Sequence, residues 1–293
     1  MSYSNYEQTV IINGHKLLGV QSVDGSYGIN EKPIRVAGVG FIDAVPNAPL
    51  QGNFSINRKM VGKDPLIEIN SLGKYIYDEA EIDGVIMYDN DTKGFGFTKG
   101  RISRYNVTCS VGNVPDIQTD ITVYGDLGKN VSMNPVIQPI PAVEFPDQSS
   151  IKLNISDFSI DAVVDFSYSR SINIVPVYAL SKGDSQTWTN NQIIEYPKLE
   201  PVQMDTQYPI ETDITVTMIA SEYEVREIKD RLQSAPRSDV SIQICDAENH
   251  ANIINSFVGK NVRLISESVN STIDGEMNIS LSYKSYETYH NEI

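Results

Sequence analysis

The sequence predicts a mainly β protein built from two tandem sandwich or barrel units, each flanked by an α-helix. Three observations carry that expectation. Short segments with period-two alternation recur along the chain, each closed by Gly, Asn, Asp or Pro. Helix start signals are confined to one place in each half. The second half also repeats the order of the first. The 293 residues suit about two ordinary domains, and 40% apolar residues suffice for a buried core. No apolar run approaches the roughly 18 residues of a membrane-spanning helix.

In the first half the strand segments are Leu18 to Tyr27, Gly52 to Met60, Val85 to Tyr88, Ile102 to Val111 and Ile117 to Tyr124. In the second they are Ile151 to Ile155, Ala162 to Tyr168, Thr212 to Ile219, Val240 to Cys245, Val262 to Ser268 and Met277 to Tyr283. Ser221-Glu222-Tyr223-Glu224 reads as a capping box, Val225, Ile228 and Leu232 then share one helical face, and Pro236 closes the helix. Asp64-Pro65 reads as an N-cap before an N1 proline, opening a weaker helix through Leu66, Ile67 and Ile69.

Self-comparison aligns the halves. Val23-Asp24-Gly25-Ser26-Tyr27 recurs as Val164-Asp165-Phe166-Ser167-Tyr168 at a displacement of 141. Asn53 to Lys59 meets Asp213 to Ile219, and Asp64 meets Glu224, at 160; Gly100 and Tyr124 meet Gly259 and Tyr283 at 159. Collinear order across three blocks argues for tandem duplication, with residues 1–140 as the first copy and 150–293 as the second. The stretch from about 129 to 150, with Pro135, Pro139, Pro141 and Pro146, reads as the linker. The extra length of the second copy lies mainly in a long inserted loop, 181–209, which holds the only tryptophan, Trp188.

Charge and chemistry narrow the function classes. A net charge of -15 repels phosphate, so nothing recommends sequence-specific nucleic-acid binding. Cys109, Cys245 and the three histidines are too scattered for a zinc motif. Two buried free thiols are the simplest reading, with a disulfide or a catalytic thiol as the alternatives. No Gly-x-Ser-x-Gly, phosphate loop or paired-histidine motif occurs; neither an enzyme nor a cofactor or metal is expected. Lys93-Gly94-Phe95-Gly96-Phe97 opens like an RNA-stacking strand but continues through Thr98 and Gly100, which suits a Gly-rich hairpin better. Asp89 to Gly94 starts like a calcium loop and then places Lys93 and Gly100 where ligands belong. The start, Met1 to Gly14, has neither the basic nor the apolar region of a signal peptide, so synthesis inside the cell is expected.

Several stretches together resemble one family. These are the opening strand Leu18-Gly19-Val20-Gln21-Ser22-Val23, the Gly- and Pro-bearing loop Gly38 to Pro49, and Asn57-Arg58 leading to Asp64-Pro65. A hairpin follows, then the closing pair Arg104-Tyr105-Asn106-Val107 and Asp120-Ile121-Thr122-Val123-Tyr124-Gly125. Each copy resembles the tail tube (major tail) proteins of long-tailed bacteriophages, the second copy more loosely, and this chain differs in carrying two copies. The resemblance implies a structural virion protein of the tail, assembled in the host cytoplasm. Its sandwich units would give strands to an inner barrel, and three duplicated chains would form a homotrimeric, pseudo-hexameric ring. Rings stacking head to tail would make a hollow tube conducting double-stranded DNA. The implied partners are further copies, the tape measure, the baseplate or initiator, and the terminator. A distal tail or baseplate hub ring protein is the nearer alternative, and a carbohydrate- or receptor-binding sandwich module the more distant one.

A conduit for DNA must not bind a polyanion, so its lining should be acidic or neutral. Strand alternation nominates Asp24 and Ser26 opposite Val23 and Tyr27; Asp161, Asp165 and Ser167 in the second copy; and Asp116 and Asp120 on the closing strand. Facing bulk solvent is the alternative for each. In the long loop, Trp188, Ile193, Ile194, Tyr196 and Leu199 are too apolar for a solvated tail. They are candidates for contact with an adjacent ring, the alternative being that the loop folds back on its own domain.

Overall fold

The computed structural model describes residues 9–28, 31–36, 38, 40–46, 51–69, 81–88, 93–128, 139, 143–144, 146, 151–155, 158–160, 163–178, 201, 203–219, 237–271 and 277–287. Strands β1 (Thr9–Ile12), β2 (His15–Lys16), β3 (Val20–Gly28), β4 (Glu31–Val36), β5 (Gly40–Pro46) and β6 (Gln51–Lys59) precede helix α1 (Pro65–Ile69). Then come β7 (Ile82–Tyr88), β8 (Lys93–Ser110), β9 (Asp116–Val123) and β10 (Leu127–Gly128). The later strands are β11 (Ile151–Ile155), β12 (Phe158–Ile160), β13 (Val163–Val177), β14 (Gln203–Ile219), β15 (Ser238–Cys245), β16 (Ile253–Asn270) and β17 (Asn278–Glu287). The chain is mainly β. One antiparallel sheet of 15 strands holds all of them except the β4–β5 hairpin.

Pairing defines the layers. Strands β3, β6, β9, the second half of β8, β13, β14, β17 and the second half of β16 lie side by side as a run of eight. The first half of β8 turns away to pair with β7, which pairs in turn with β1, and the first half of β16 likewise pairs with β15, which pairs with β11. These shorter layers cover one side of the eight-stranded run. Phe97 of β8 meets Phe54 of β6 at 4.8 Å between ring centroids, and Phe257 of β16 meets Tyr168 of β13 at 5.3 Å. One core results, with Phe54, Ile56, Phe97, Ile121, Phe166, Ile214, Val216, Phe257 and Leu281 buried in it. The arrangement is sandwich-like.

The pairing scheme of β1–β9 recurs in β11–β17. Each of β1·β2, β1·β7, β3·β6, β6·β9, β7·β8 and β8·β9 has its counterpart in β11·β12, β11·β15, β13·β14, β14·β17, β15·β16 and β16·β17. The irregularities recur too. A break between Val20 and Ser22 answers to one between Val163 and Asp165, a displacement of 143, and their partner strands β6 and β14 correspond at 160. Breaks at Ile102/Arg104 and Leu264/Ser266 stand 162 apart; those at Ile82/Gly84 and Ser238/Val240 stand 156 apart. Beside the last pair, Asp83 Oδ1 accepts the Lys99 amide at 3.1 Å and Asp239 Oδ1 accepts the Asn261 amide at 2.8 Å. Lys99 and Asn261 are both left-handed, with φ of 53° and 54°. A bulge is conformationally costly and placed by its surroundings, so its recurrence is a stronger marker than matching letters. The letter match at 160 keeps its register, whereas those at 141 and 159 become 143 and 162.

Several expectations are corrected. The long loop was expected over 181–209, yet Gln203–Pro209 belongs to β14, where Gln203 to Gln207 pair with Val177 to Asn173 as an arm extending the β13–β14 hairpin. Ile172, Ile174, Met204 and Ile210 pack there around Tyr124, so apolar burial overrides the punctuation by Pro176 and Pro209. The Gly- and Pro-bearing loop Gly38 to Pro49 contains β5, paired with β4. The weak helix at Pro65 is present as α1. The helix expected over 221–236 and nearly all of the linker lie outside the described residues.

Both cysteines are buried and free, which removes the disulfide alternative. Burial pushes the Cys109 thiol up to about 11, with the charge of Asp116 adding to the effect. At pH 8 the thiolate fraction is then on the order of one in a thousand. We expect no labelling of native protein by a thiol-reactive disulfide reagent within minutes at pH 8, and two equivalents released on unfolding in urea. Rapid native labelling at Cys109 would contradict its placement.

Candidate functional site

The side of the eight-stranded run facing away from the core is polar across all eight strands. One row reads Ser22, Asn57, Gln118, Asn106, Ser169, Asp213, Lys284, Arg263 from β3 to β16. The neighbouring row from β6 onward reads Lys59, Asp116, Thr108, Ser167, Thr215, Ser282, Ser266. A third runs Asp24, Ser55, Asp120, Arg104, Ser171, Glu211, Tyr286. Directly paired residues share a face, so the alternation seen strand by strand adds up to one continuous surface.

Of the sequence-nominated residues, Asp24, Ser26, Asp116, Asp120, Asp165 and Ser167 all fall on this surface. Asp161 lies outside the described residues, as do Trp188, Ile193, Ile194, Tyr196 and Leu199. Asp120 accepts a hydrogen bond from the Ser55 hydroxyl at 2.7 Å, and Gln118 reaches the same carboxylate at 3.4 Å. An open concavity of about 530 Å³ lies over Asp24, Ser26, Asn53, Ser55, Ser103 and Asp120.

Sequence reasoning missed the cations on this face. Lys59, Arg101, Arg104, Arg263 and Lys284 share it with Asp24, Asp116, Asp120, Asp165, Glu211 and Asp213, which leaves it close to neutral. Lys59 sits 2.7 Å from Asp116, and Lys284 sits 2.9 Å from Glu211 and 3.6 Å from Asp213. The hydrogen bond that the Lys284 ammonium donates to Glu211, helped by the charge of Asp213, holds its pKa above the ordinary lysine value. These exposed pairs add little stability, but they cancel the field a bare lysine would present to a polyanion. Alternation in β14 and β17 was the available signal for them.

Beneath the core-facing side lies a buried polar cluster that joins the two halves. The Arg58 guanidinium pairs with Asp64, and the Tyr105 hydroxyl donates to the same carboxylate oxygen. Asp64 Oδ1 also accepts the Leu66 amide at 2.9 Å, capping α1. Asn255 of β16 accepts the Asp64 amide at 3.0 Å and donates to the Gly62 carbonyl at 3.0 Å. Burial opposes the charge on Arg58, yet the adjacent Asp64 more than offsets this and raises its pKa. Burial and, next, the Asp64 charge push the Tyr105 phenol well above its usual range.

Phe97 is fully buried and Phe95 packs over Gly25, so the Lys93-to-Phe97 segment presents no stacking platform for bases. Among the described residues, no three His, Cys, Asp or Glu side chains converge as metal ligands, and no helix is long and apolar enough to cross a membrane. Neither a protein-family model nor a curated protein matches the sequence.

Proposed function

We propose that this chain is a tandem duplication of one sandwich-like unit, with its boundary in the 129–150 stretch, and that it serves as a tail tube subunit of a virion. In this reading the polar face lines the bore, three chains close a pseudo-sixfold ring, and stacked rings conduct double-stranded DNA without binding it. The observation that carries the reading is the eight-stranded run itself. A face this wide, polar in every strand and close to neutral, suits a wall that a polyanion must slide past. Recurrence of six pairings and three bulge positions supports two equivalent units per chain. The chain needs no cofactor for this role, and its partners are copies of itself and the other tail proteins.

Negative-stain microscopy of the purified protein tests the proposal. Rings with a central hole and apparent sixfold outline, or tubes stacked from them, are expected. Rings that never stack favour the distal tail or baseplate hub. Monodisperse monomers at all concentrations, retained on a glycan array, would overturn the tube and favour the binding module.

A further inference from the structure

At each end of the run of eight strands lies an edge with no further strand among the described residues. Among the described residues, β3 pairs only with β6, and residues 263–270 of β16 pair only with β17. These edges differ from each other, but each has a paired equivalent inside the chain. By the displacements that the bulges define, β3 corresponds to β13 and the second half of β16 to the second half of β8, and β8 and β13 are bonded to each other. The chain therefore makes this junction once in its middle and carries its two unjoined halves at its ends.

We infer that a second copy of this chain completes that junction, its β3 pairing antiparallel with β16 of the first in the register of the β8–β13 seam. The internal pairs Ser167↔Thr108, Tyr168↔Val107, Ser169↔Asn106, Arg170↔Tyr105 and Ser171↔Arg104 supply that register. Carried over at 143 and 162, they set Asp24 opposite Asn270, Gly25 opposite Val269, Ser26 opposite Ser268, Tyr27 opposite Glu267 and Gly28 opposite Ser266.

Two features of the edges agree with this register without having entered its derivation. Side-chain parity is kept: Asp24 and Ser26 of the polar face meet Asn270 and Ser268, which continue that face through Asn278 and Ser280. A slip of one residue would instead set polar against apolar sides. The apolar side has matching exposed groups, since Tyr27 is 63% exposed and Val269 37%, and the pairing brings them into diagonal reach. Neither edge carries the proline or lysine that discourages strand addition. Such a contact is heterologous, so it propagates in one direction and closes only by rotation into a ring.

The inference deepens the proposed tube by naming the edges and their register, and disulfide trapping tests it apart from that reading. Opposed residues in an antiparallel pair have Cα atoms about 4.5–5.5 Å apart, within disulfide range. Under mild oxidation, full-length protein carrying Ser26→Cys and Ser268→Cys should give covalent dimers and higher species. An equimolar mixture of the two single variants should give dimers only, and each single variant alone none. The pair Ser26→Cys with Asn270→Cys, two residues out of register, should yield at least about tenfold less product. Rings by microscopy without the Ser26–Ser268 link, or with the out-of-register link dominant, would overturn the inference and leave the ring standing. The link without any ring would uphold the edge pairing and sink the tube. Absence of both, in variants whose circular dichroism matches the parent, would overturn both.

Discussion

Replacing Asp64 with asparagine is expected to lower the free energy of unfolding by about 3–5 kcal/mol, the usual cost of leaving a buried charge unpaired. Arg58 and Asp64 are 3% and 2% exposed, so water cannot take over the lost partner. Asparagine keeps one oxygen, enough for the α1 cap, while its amide nitrogen takes the place of the oxygen shared by Arg58 and the Tyr105 hydroxyl, so the loss combines the charge with that hydrogen bond. Adding Arg58→Met to Asp64→Asn should then recover a large part of the loss, because the orphaned guanidinium is gone. Urea unfolding followed by β-sheet circular dichroism measures both. If Asp64→Asn unfolded at the parental midpoint, the ion pair would not be holding this region. Asn255 links the same cluster to β16, so the single variant should also loosen the contact between the first and second halves.

Reversing Asp24 and Asp165 to lysine should turn a surface that DNA slides past into one that holds it. Both are on the polar face, neither is buried, and each reversal moves the local charge by two units. Tubes should still form, because the core-facing side is untouched and the single edge lysine at position 24 would stand opposite the uncharged Asn270 across the inferred seam. Their retention of double-stranded DNA near 0.15 M salt should rise at least about tenfold, and fall with rising salt at a slope of roughly 0.9 per phosphate contacted. Co-sedimentation of tubes with linear DNA across a salt series reads this directly. Variant tubes that retain no more DNA than the parent would place both residues off the bore.

The β class of the chain was legible because alternation is a local property. In Asn53 to Lys59 and in Thr212 to Ile219 every second residue is buried, as the pattern implies. Where strands cross glycine or proline the signal failed: β8 starts at Lys93, nine residues before the segment that alternation picked out, and β14 runs through Pro209. Gly84 shows why. A Cβ there would lie 2.4 Å from the Phe97 ring, so the glycine serves close packing between layers and does not end a strand. Register between the halves was legible only in part, since Val, Ser, Tyr and Asn recur in any strand and letters match at neighbouring offsets.

The residues alone determined which strand faces are polar, that net charge disfavours polyanion binding, and that Asp64-Pro65 starts a helix. Each depends on neighbours within a few positions or on a simple sum over the chain. The tertiary structure decided that the polar faces of eight strands join into one surface, that lysines and arginines bring it near neutrality, and that Arg58, Asp64 and Tyr105 meet in the interior. It also decided which two strands end the run among the described residues. All of these depend on contacts between residues far apart in the chain, and those are set by the lateral order and register of strands, which the alternation within a single strand does not encode.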